Sequence, residues 1–215
     1  MFKRAVVRKL RKRVSGLTKL KKLVYLISPN EIDKNFFNNL DKVLSFGNVK
    51  FFQLRIKKIK KNNLLIIAKK IRKITSKHKV KFIINDYYNL VSKVKADGCH
   101  MGQLDGSIKK AKNKLQDKIL GVTCHNSIKL ARRAEKYKAN YLAFGSFFKS
   151  KLKPDAKRAN IEILGLVKKN IKLPIVVIGG INNFNYKRLI KFGAKYIALS
   201  SFIWDNPNLK PEIAI

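Results

Sequence analysis

The chain has 215 residues, of which 50 are Lys or Arg and only 12 are Asp or Glu, for a formal charge of +38. Hydrophobic residues make up 46%, enough for a large core, which argues against a disordered chain despite the charge. No apolar run reaches the roughly 18 residues that a membrane span needs, and Cys99 and Cys124 are too few for a disulfide framework and read as buried thiols in a reducing cytoplasm.

In chain order, residues 1–22 ("MFKRAVVRKLRKRVSGLTKLKK") come first, basic and without an acid. They lack the apolar core of a signal peptide, and an extra basic helix lying against the domain is expected. Residues 23–215 read as one domain. Strand candidates are Leu23–Ile27, Phe51–Lys57, Val80–Asn85, Gly98–Met101, Ile119–Thr123, Tyr141–Gly145, Ile175–Ile178 and Tyr196–Leu199. Helical patterns lie between them, near Phe36–Phe46, Tyr87–Lys95, Ile108–Leu115, Ser127–Tyr137, Ile161–Lys169 and Asn185–Phe192. The clearest is "NLLIIAKKIRKI", where Leu64, Ile67, Ala68, Ile71 and Ile74 follow the spacing of a buried stripe and Asn63 is the expected N-cap. Gly193 suits a helix C-cap.

Eight strands separated by helix-length segments predict parallel pairing with right-handed crossovers. Eight such units close into a (β/α)8 TIM barrel of the α/β class. An open doubly wound sheet is the structural alternative, but it normally uses fewer strands, and the first turn has no Gly-rich nucleotide fingerprint. The tail "FIWDNPNLKPEIAI" is too short and Pro-rich for a full closing helix, so a truncated last helix is expected.

The charge fits an anionic partner: nucleic acid, an anionic membrane surface or a phosphorylated metabolite. It fits a generally lysine-rich composition as well. The basic residues are dispersed over most predicted helices, and no basic run is interleaved with stacking aromatics, which weakens the case for a nucleic-acid groove. Cys99-His100 and Cys124-His125 have the look of a zinc site, but neighbours on a strand point to opposite faces, so one strand can aim only one of each pair at a shared metal.

In a barrel, chemistry sits at the C-terminal ends of the strands. In "FFQLRIK", Gln53, Arg55 and Lys57 alternate with Phe52, Leu54 and Ile56, which aims the polar set into the barrel. Cations there need an anion. Asn85 and Asp86 end the third strand, and Asp105 follows the fourth. Two carboxylates on adjacent strand ends can hold Mg2+, although each also precedes a helix and could cap it. Asp97, in "KADGC", is turn chemistry. Gly179 and Gly180 end the seventh strand and "ALSS" the eighth, where this fold commonly holds a phosphate. The polar loop after the sixth strand carries Ser150 and Lys153 and suits closure over a substrate.

Taken together, "QLRIK", "IND", "ADGCHMGQLD", "GVTCHN", "KANYLAFGS" and "LPIVVIGGI" resemble, in order and spacing from about Leu23 to Ile203, the thiamine phosphate synthase family. The resemblance implies a cytoplasmic transferase of thiamine biosynthesis that joins hydroxymethylpyrimidine diphosphate to thiazole phosphate with Mg2+ and releases diphosphate. It implies that Gln53 contacts the pyrimidine and that Arg55, Lys57 and Lys153 hold the diphosphate, with Ser150 in the same loop. Asn85 orients the diphosphate, and Asp86 and Asp105 bind Mg2+. Thr123 stands where a serine near the reacting centre is usual. Gly180, Ser200 and Ser201 present amides to the thiazole phosphate. The catalytic set is then Arg55, Lys57, Thr123 and Lys153, the partners are small molecules rather than nucleic acid or membrane, and a homodimer is compatible. The chain departs from the family at Ile56 (usually Glu), at Leu152 in "SKLK" (usually Thr-x-Thr-Lys) and at Gly145-Ser146 (usually Gly-Pro). The sister family of thiazole tautomerases shares the barrel and has a histidine at the position of His125. That histidine also occurs in some synthases, but the acids at Asp86 and Asp105 fit the synthase pattern.

Overall fold

Short runs of β-branched and aromatic residues form the strands β1 (Val24–Ile27), β2 (Val49–Leu54), β3 (Lys81–Asn85), β4 (Gly98–Met101), β5 (Ile119–His125), β6 (Tyr141–Phe144), β7 (Ile175–Val177) and β8 (Tyr196–Leu199). Every neighbouring pair is parallel, and the strands close in sequence order, β1 pairing with both β2 and β8. This is the expected (β/α)8 barrel. The structure is a computed structural model that describes residues 23–57, 59–149 and 157–215. The basic segment 1–22, Ser150 and Lys153 lie outside the described residues.

The helices are α1 (Phe36–Ser45), α2 (Lys61–Lys77), α3 (Ile108–Leu115), α4 (Ile128–Lys136), α5 (Glu162–Asn170), α6 (Tyr186–Lys191), α7 (Ser201–Trp204) and α8 (Pro211–Ala214). The two-residue alternation of the strands sorts their side chains into two layers. Val24, Leu26, Phe52, Leu54, Phe82, Ile84, Cys99 and Met101 face outward into the layer shared with the helices. Tyr25, Ile27, Phe51, Ile83, Tyr141, Ala143, Val176 and Ala198 fill the barrel interior. On α2, Leu64, Ala68 and Ile71 are buried in the outer layer while Ile67 and Ile74 are only partly covered. Each fully buried Leu or Ile contributes roughly 1.5–3 kcal/mol.

Large interior aromatics need small residues opposite them. A Cβ on Gly121 would lie 1.9 Å from the Tyr141 ring, so glycine there is what admits the phenol. Tyr141 packs in turn on Tyr25 and Phe51, with ring centroids 5.6 and 5.7 Å apart.

Three expectations are corrected. The helix expected at Tyr87–Lys95 is only a 3-10 turn at Tyr88–Leu90, because Lys95 swings to φ 52 and the Ala96 N–H bonds Val91 O to lead the chain directly into β4. Asn63 does not cap α2. Lys60 occupies that position with an extended backbone, and no side chain caps it. Ser107 and Ser127 do cap α3 and α4, each accepting an N–H at 3.3 Å. The second strand stops at Leu54 rather than Lys57, because the Ser28 hydroxyl takes over both backbone groups of Arg55.

The closing helix is indeed short. Its work is done by Trp204, whose indole N–H donates to Ile27 O at 2.6 Å and whose ring lies 5.3 Å from that of Phe36.

Candidate active site

The C-terminal ends of β2, β3, β4 and β5 bring together most of the residues singled out in the sequence. Gln53 is 3% exposed and points into the barrel. It pairs in register with β3, and its amide donates to the Asn85 side-chain oxygen. Two amides locked together in this way have their rotamers set before any ligand arrives. Arg55 follows at the strand exit, where Ser28 accepts its N–H at 2.9 Å and donates to its carbonyl at 3.2 Å. Lys57 stands exposed beyond it.

Asp86 leaves β3 with φ 64, in the left-handed region, its N–H donating to His100 O at 2.8 Å. That turn directs its carboxylate toward Asp105, within hydrogen-bonding reach. Partial burial, and then the Asp105 carboxylate, push the Asp86 pKa from its ordinary 3.8 up to about 7, although the charges of Arg55 and Lys57 pull it down. Asp105 is held by the Gly102 N–H at 2.8 Å, and a Cβ on Gly102 would come within 2.4 Å of the same carboxylate oxygen. Capping explains neither acid: Ser107 caps α3, and no side chain caps the 3-10 turn after Asp86. Two carboxylates close enough that one has its proton affinity raised, beside two cations, suit a divalent cation together with a phosphorylated ligand.

Asp97 belongs to the opposite end of the barrel. It accepts from Arg72 at 2.6 Å, from Lys81 at 2.9 Å and from the Phe82 N–H at 2.9 Å. Burial raises its pKa, but those donors outweigh burial and leave it lowered. The turn reading therefore needs an addition: Asp97 also ties α2 to β3.

Thr123, half-buried on β5, is joined to His100, which the sequence offered only as half of a discounted zinc pair. His100 Nε2 lies 2.8 Å from Thr123 Oγ1, and its Nδ1 lies 3.0 Å from Tyr141 Oη, which is 2.7 Å from Tyr25 Oη. His100 stacks on Tyr141 at an interplanar angle of 16°, and burial pushes its pKa down to about 4. Burial raises both phenols as well. Strand alternation does carry a signal for His100, since Cys99 faces the outer layer and its neighbour must face inward. Gln103 adds a second hold on Thr123, its side-chain amide donating to Thr123 O. His125 ends β5 exposed, at φ 51.

Gly179 and Gly180 have φ 103 and φ 61, which only glycine adopts easily. A Cβ on Gly180 would meet Lys149 O at 2.3 Å and Phe148 Cβ at 2.8 Å, so this turn packs closely on the segment after β6. Ser200 donates to Ser28 O at 3.1 Å, and Ser201 begins α7 beside it. Ser28 thereby links the β8 end to the β2 end.

A family profile described as Thiamine monophosphate synthase matches residues 24–203. A thiamine-phosphate synthase of Pelagibacter ubique (strain HTCC1062) is 53% identical over 196 residues, covering 91% of this chain and 95% of that protein. The chain belongs to the thiamine monophosphate synthase family. A second family relative, a thiamine-phosphate synthase of Erythrobacter litoralis (strain HTCC2594), is 38% identical over 87% of this chain and 90% of its own length. The solved thiamine phosphate pyrophosphorylase from Pyrococcus furiosus superposes with a TM-score of 0.80 at 29% identity, covering 92% of this chain and 93% of the other. A 3-hexulose-6-phosphate synthase, at 15% identity and a TM-score of 0.64, shares the fold alone. The thiamine monophosphate synthase match includes every described site residue from Gln53 to Ser201. Among the described residues, no helix is long and apolar enough to cross a membrane.

Proposed function

We propose that this chain is a thiamine phosphate synthase, joining hydroxymethylpyrimidine diphosphate to thiazole phosphate and releasing diphosphate. Membership of the family supports the activity. The observation that carries the site is the crowding of Asp86 and Asp105 beside Arg55 and Lys57 at the barrel mouth.

In this reading residues 23–215 form one catalytic barrel and residues 1–22 a basic extension, in a cytoplasmic protein. Gln53, its rotamer held by Asn85, reads the pyrimidine edge through the amide valences that remain. Asn85 orients the diphosphate. Arg55 and Lys57, joined by Lys153 and Ser150 from the loop after β6, hold the diphosphate oxygens and offset the negative charge that grows as the C–O bond breaks. Asp86 and Asp105 hold Mg2+, whose charge, when bound, further stabilises the leaving diphosphate. The displacement is dissociative: the bond to diphosphate breaks first, the pyrimidine shares the positive charge left on its carbon, and the thiazole nitrogen then attacks. Thr123 stands at the reacting centre. The amides of Gly180, Ser200 and Ser201 hold the thiazole phosphate. No protein nucleophile is required.

The test supplies the purified chain with both substrates and Mg2+ and follows thiamine phosphate and diphosphate in equal amounts. Folded protein that forms neither product at saturating substrate removes the synthase reading.

A further inference from the structure

The buried chain Tyr25–Tyr141–His100–Thr123 has a direction, and the direction follows from counting protons. Tyr25 and Tyr141 each carry one hydroxyl proton deep inside the barrel. Tyr25 Oη has a single hydrogen-bond partner among the described residues, Tyr141 Oη at 2.7 Å. Tyr141 Oη has two, Tyr25 and His100 Nδ1 at 3.0 Å. The contact between the phenols accommodates one of their two protons. The other has one acceptor left, and that acceptor is Nδ1. An imidazole with a proton on Nδ1, whether neutral or doubly protonated, would strand a phenol proton in the core. Such a loss biases the equilibrium by roughly tenfold or more.

We infer that the two tyrosines hold His100 as the neutral Nε2–H tautomer, so that His100 donates to Thr123 and Thr123 turns its own proton toward the ligand. Tyr25 donates to Tyr141, Tyr141 donates to Nδ1, and Nε2–H donates to Thr123 Oγ1 at 2.8 Å. Among the described residues, Thr123 Oγ1 has no second side-chain or backbone partner, so its proton is committed to whatever enters the barrel mouth. The consequence is a bias in ligand polarity: His100 occupies one lone pair of Oγ1 and leaves the hydroxyl proton free, so an acceptor, such as an sp2 ring nitrogen or an anionic oxygen, finds a donor waiting at Thr123, whereas a ligand N–H or O–H has only the remaining lone pair. His100 is therefore a positioning residue that acts through Thr123. This deepens the synthase reading, on which the identity of the ligand rests, but the tautomer does not depend on that reading.

The test has two arms. In the first, the protein is labelled with 15N-histidine and its imidazoles are observed without substrate. The chain has three histidines, and a His100→Gln variant assigns the signals of His100. The expected pattern is a bare, pyridine-like Nδ1 and a protonated Nε2. Tyr25→Phe should leave it unchanged, since the Tyr141 proton still has only Nδ1. Tyr141→Phe should abolish the bias. An Nδ1–H tautomer in the wild type, or a pattern indifferent to Tyr141→Phe, overturns the inference whatever the enzyme makes.

The second arm is kinetic. Thr123→Ser keeps the donor and should retain activity within about threefold, whereas Thr123→Val should lower kcat/KM for the pyrimidine diphosphate by roughly tenfold or more. His100→Gln, which can accept from Tyr141 and donate to Thr123, should recover most of what His100→Leu loses, with the melting temperatures of the two variants showing whether the difference is one of folding. Equal losses for Gln and Leu at equal stability would overturn the positioning role. A wild type that makes no product removes the synthase reading and leaves the spectroscopic result to decide the tautomer.

Discussion

Ser28 holds Arg55 by both of its backbone groups, accepting the N–H at 2.9 Å and donating to the carbonyl at 3.2 Å. The hydroxyl thus replaces a ladder partner at the point where β2 ends, and Arg55 is carried out of the sheet toward the barrel mouth. Ser28 is 3% exposed, so water cannot substitute for it. Ser28→Ala should cost about 1–3 kcal/mol of stability for the orphaned groups. It should also weaken diphosphate binding more than thiazole-phosphate binding. Denaturant melts and calorimetry with each ligand check both effects, and equal weakening of the two ligands would detach Ser28 from the diphosphate side.

Asp105→Asn tests the metal assignment. The Gly102 N–H keeps an acceptor, and Ser107 still caps α3, so the fold should survive. Turnover should fall by roughly 10²-fold, the scale of losing one electrostatic stabiliser of a transition state. Raising Mg2+ should restore part of it, because occupancy rather than chemistry was damaged. The readout is turnover across a Mg2+ series beside the melting temperature. Full activity at limiting Mg2+ would take Asp105 out of the metal site.

The acid pair also sets a pH dependence. The Asp86 pKa is raised to about 7 in the folded protein from an ordinary 3.8. Between those values the folded state holds a proton that the unfolded state has lost, so stability from this site falls as pH rises. In EDTA, this contribution to the melting temperature should be fully present below about pH 4 and lost as pH passes through 7. Asp105→Asn should flatten the trend, since the carboxylate that helps raise Asp86 is gone, and Mg2+ should do so by favouring the ionised pair. Identical slopes in wild type and variant would separate the two carboxylates.

Gly121→Ala places a methyl group where the Tyr141 ring now lies, 1.9 Å from the nearest ring atom. The ring is walled in by Tyr25, Phe51 and His100 and has no free direction. A loss of about 1–3 kcal/mol is expected from overpacking, together with lower activity as His100 and Thr123 shift. A chemical melt and an activity assay measure both. Gly121→Ala with wild-type stability would mean that the interior rearranges freely.

Much of the barrel is legible in the one-dimensional pattern, because its causes are local. The alternation in "FFQLRIK" sends Gln53 inward and Phe52 and Leu54 outward, since successive strand side chains must face opposite ways. The Asn85-Asp86 and Gly179-Gly180 pairs stand at strand ends for the same local reasons. The expected helix at Tyr87–Lys95 fails because its apolar residues fit a run of short turns as well as a helix, and Lys95, at φ 52, ends that run before a regular α-helix is established.

What the tertiary structure alone decided is which distant side chains meet. Tyr25 and Tyr141 are 116 positions apart and share a hydrogen bond, His100 reaches Tyr141 across 41, and Ser28 reaches Arg55 across 27. No periodicity encodes such contacts. They arise from the closure of eight strands, which fixes β1 beside β8 and brings inward side chains from different strands to one level of the interior. The residue types and their faces were therefore set by the sequence alone. The proton order of the buried chain, the anchoring of Arg55 and the approach of Asp86 to Asp105 required the closed barrel, because a hydrogen bond depends on distances that only three-dimensional packing supplies.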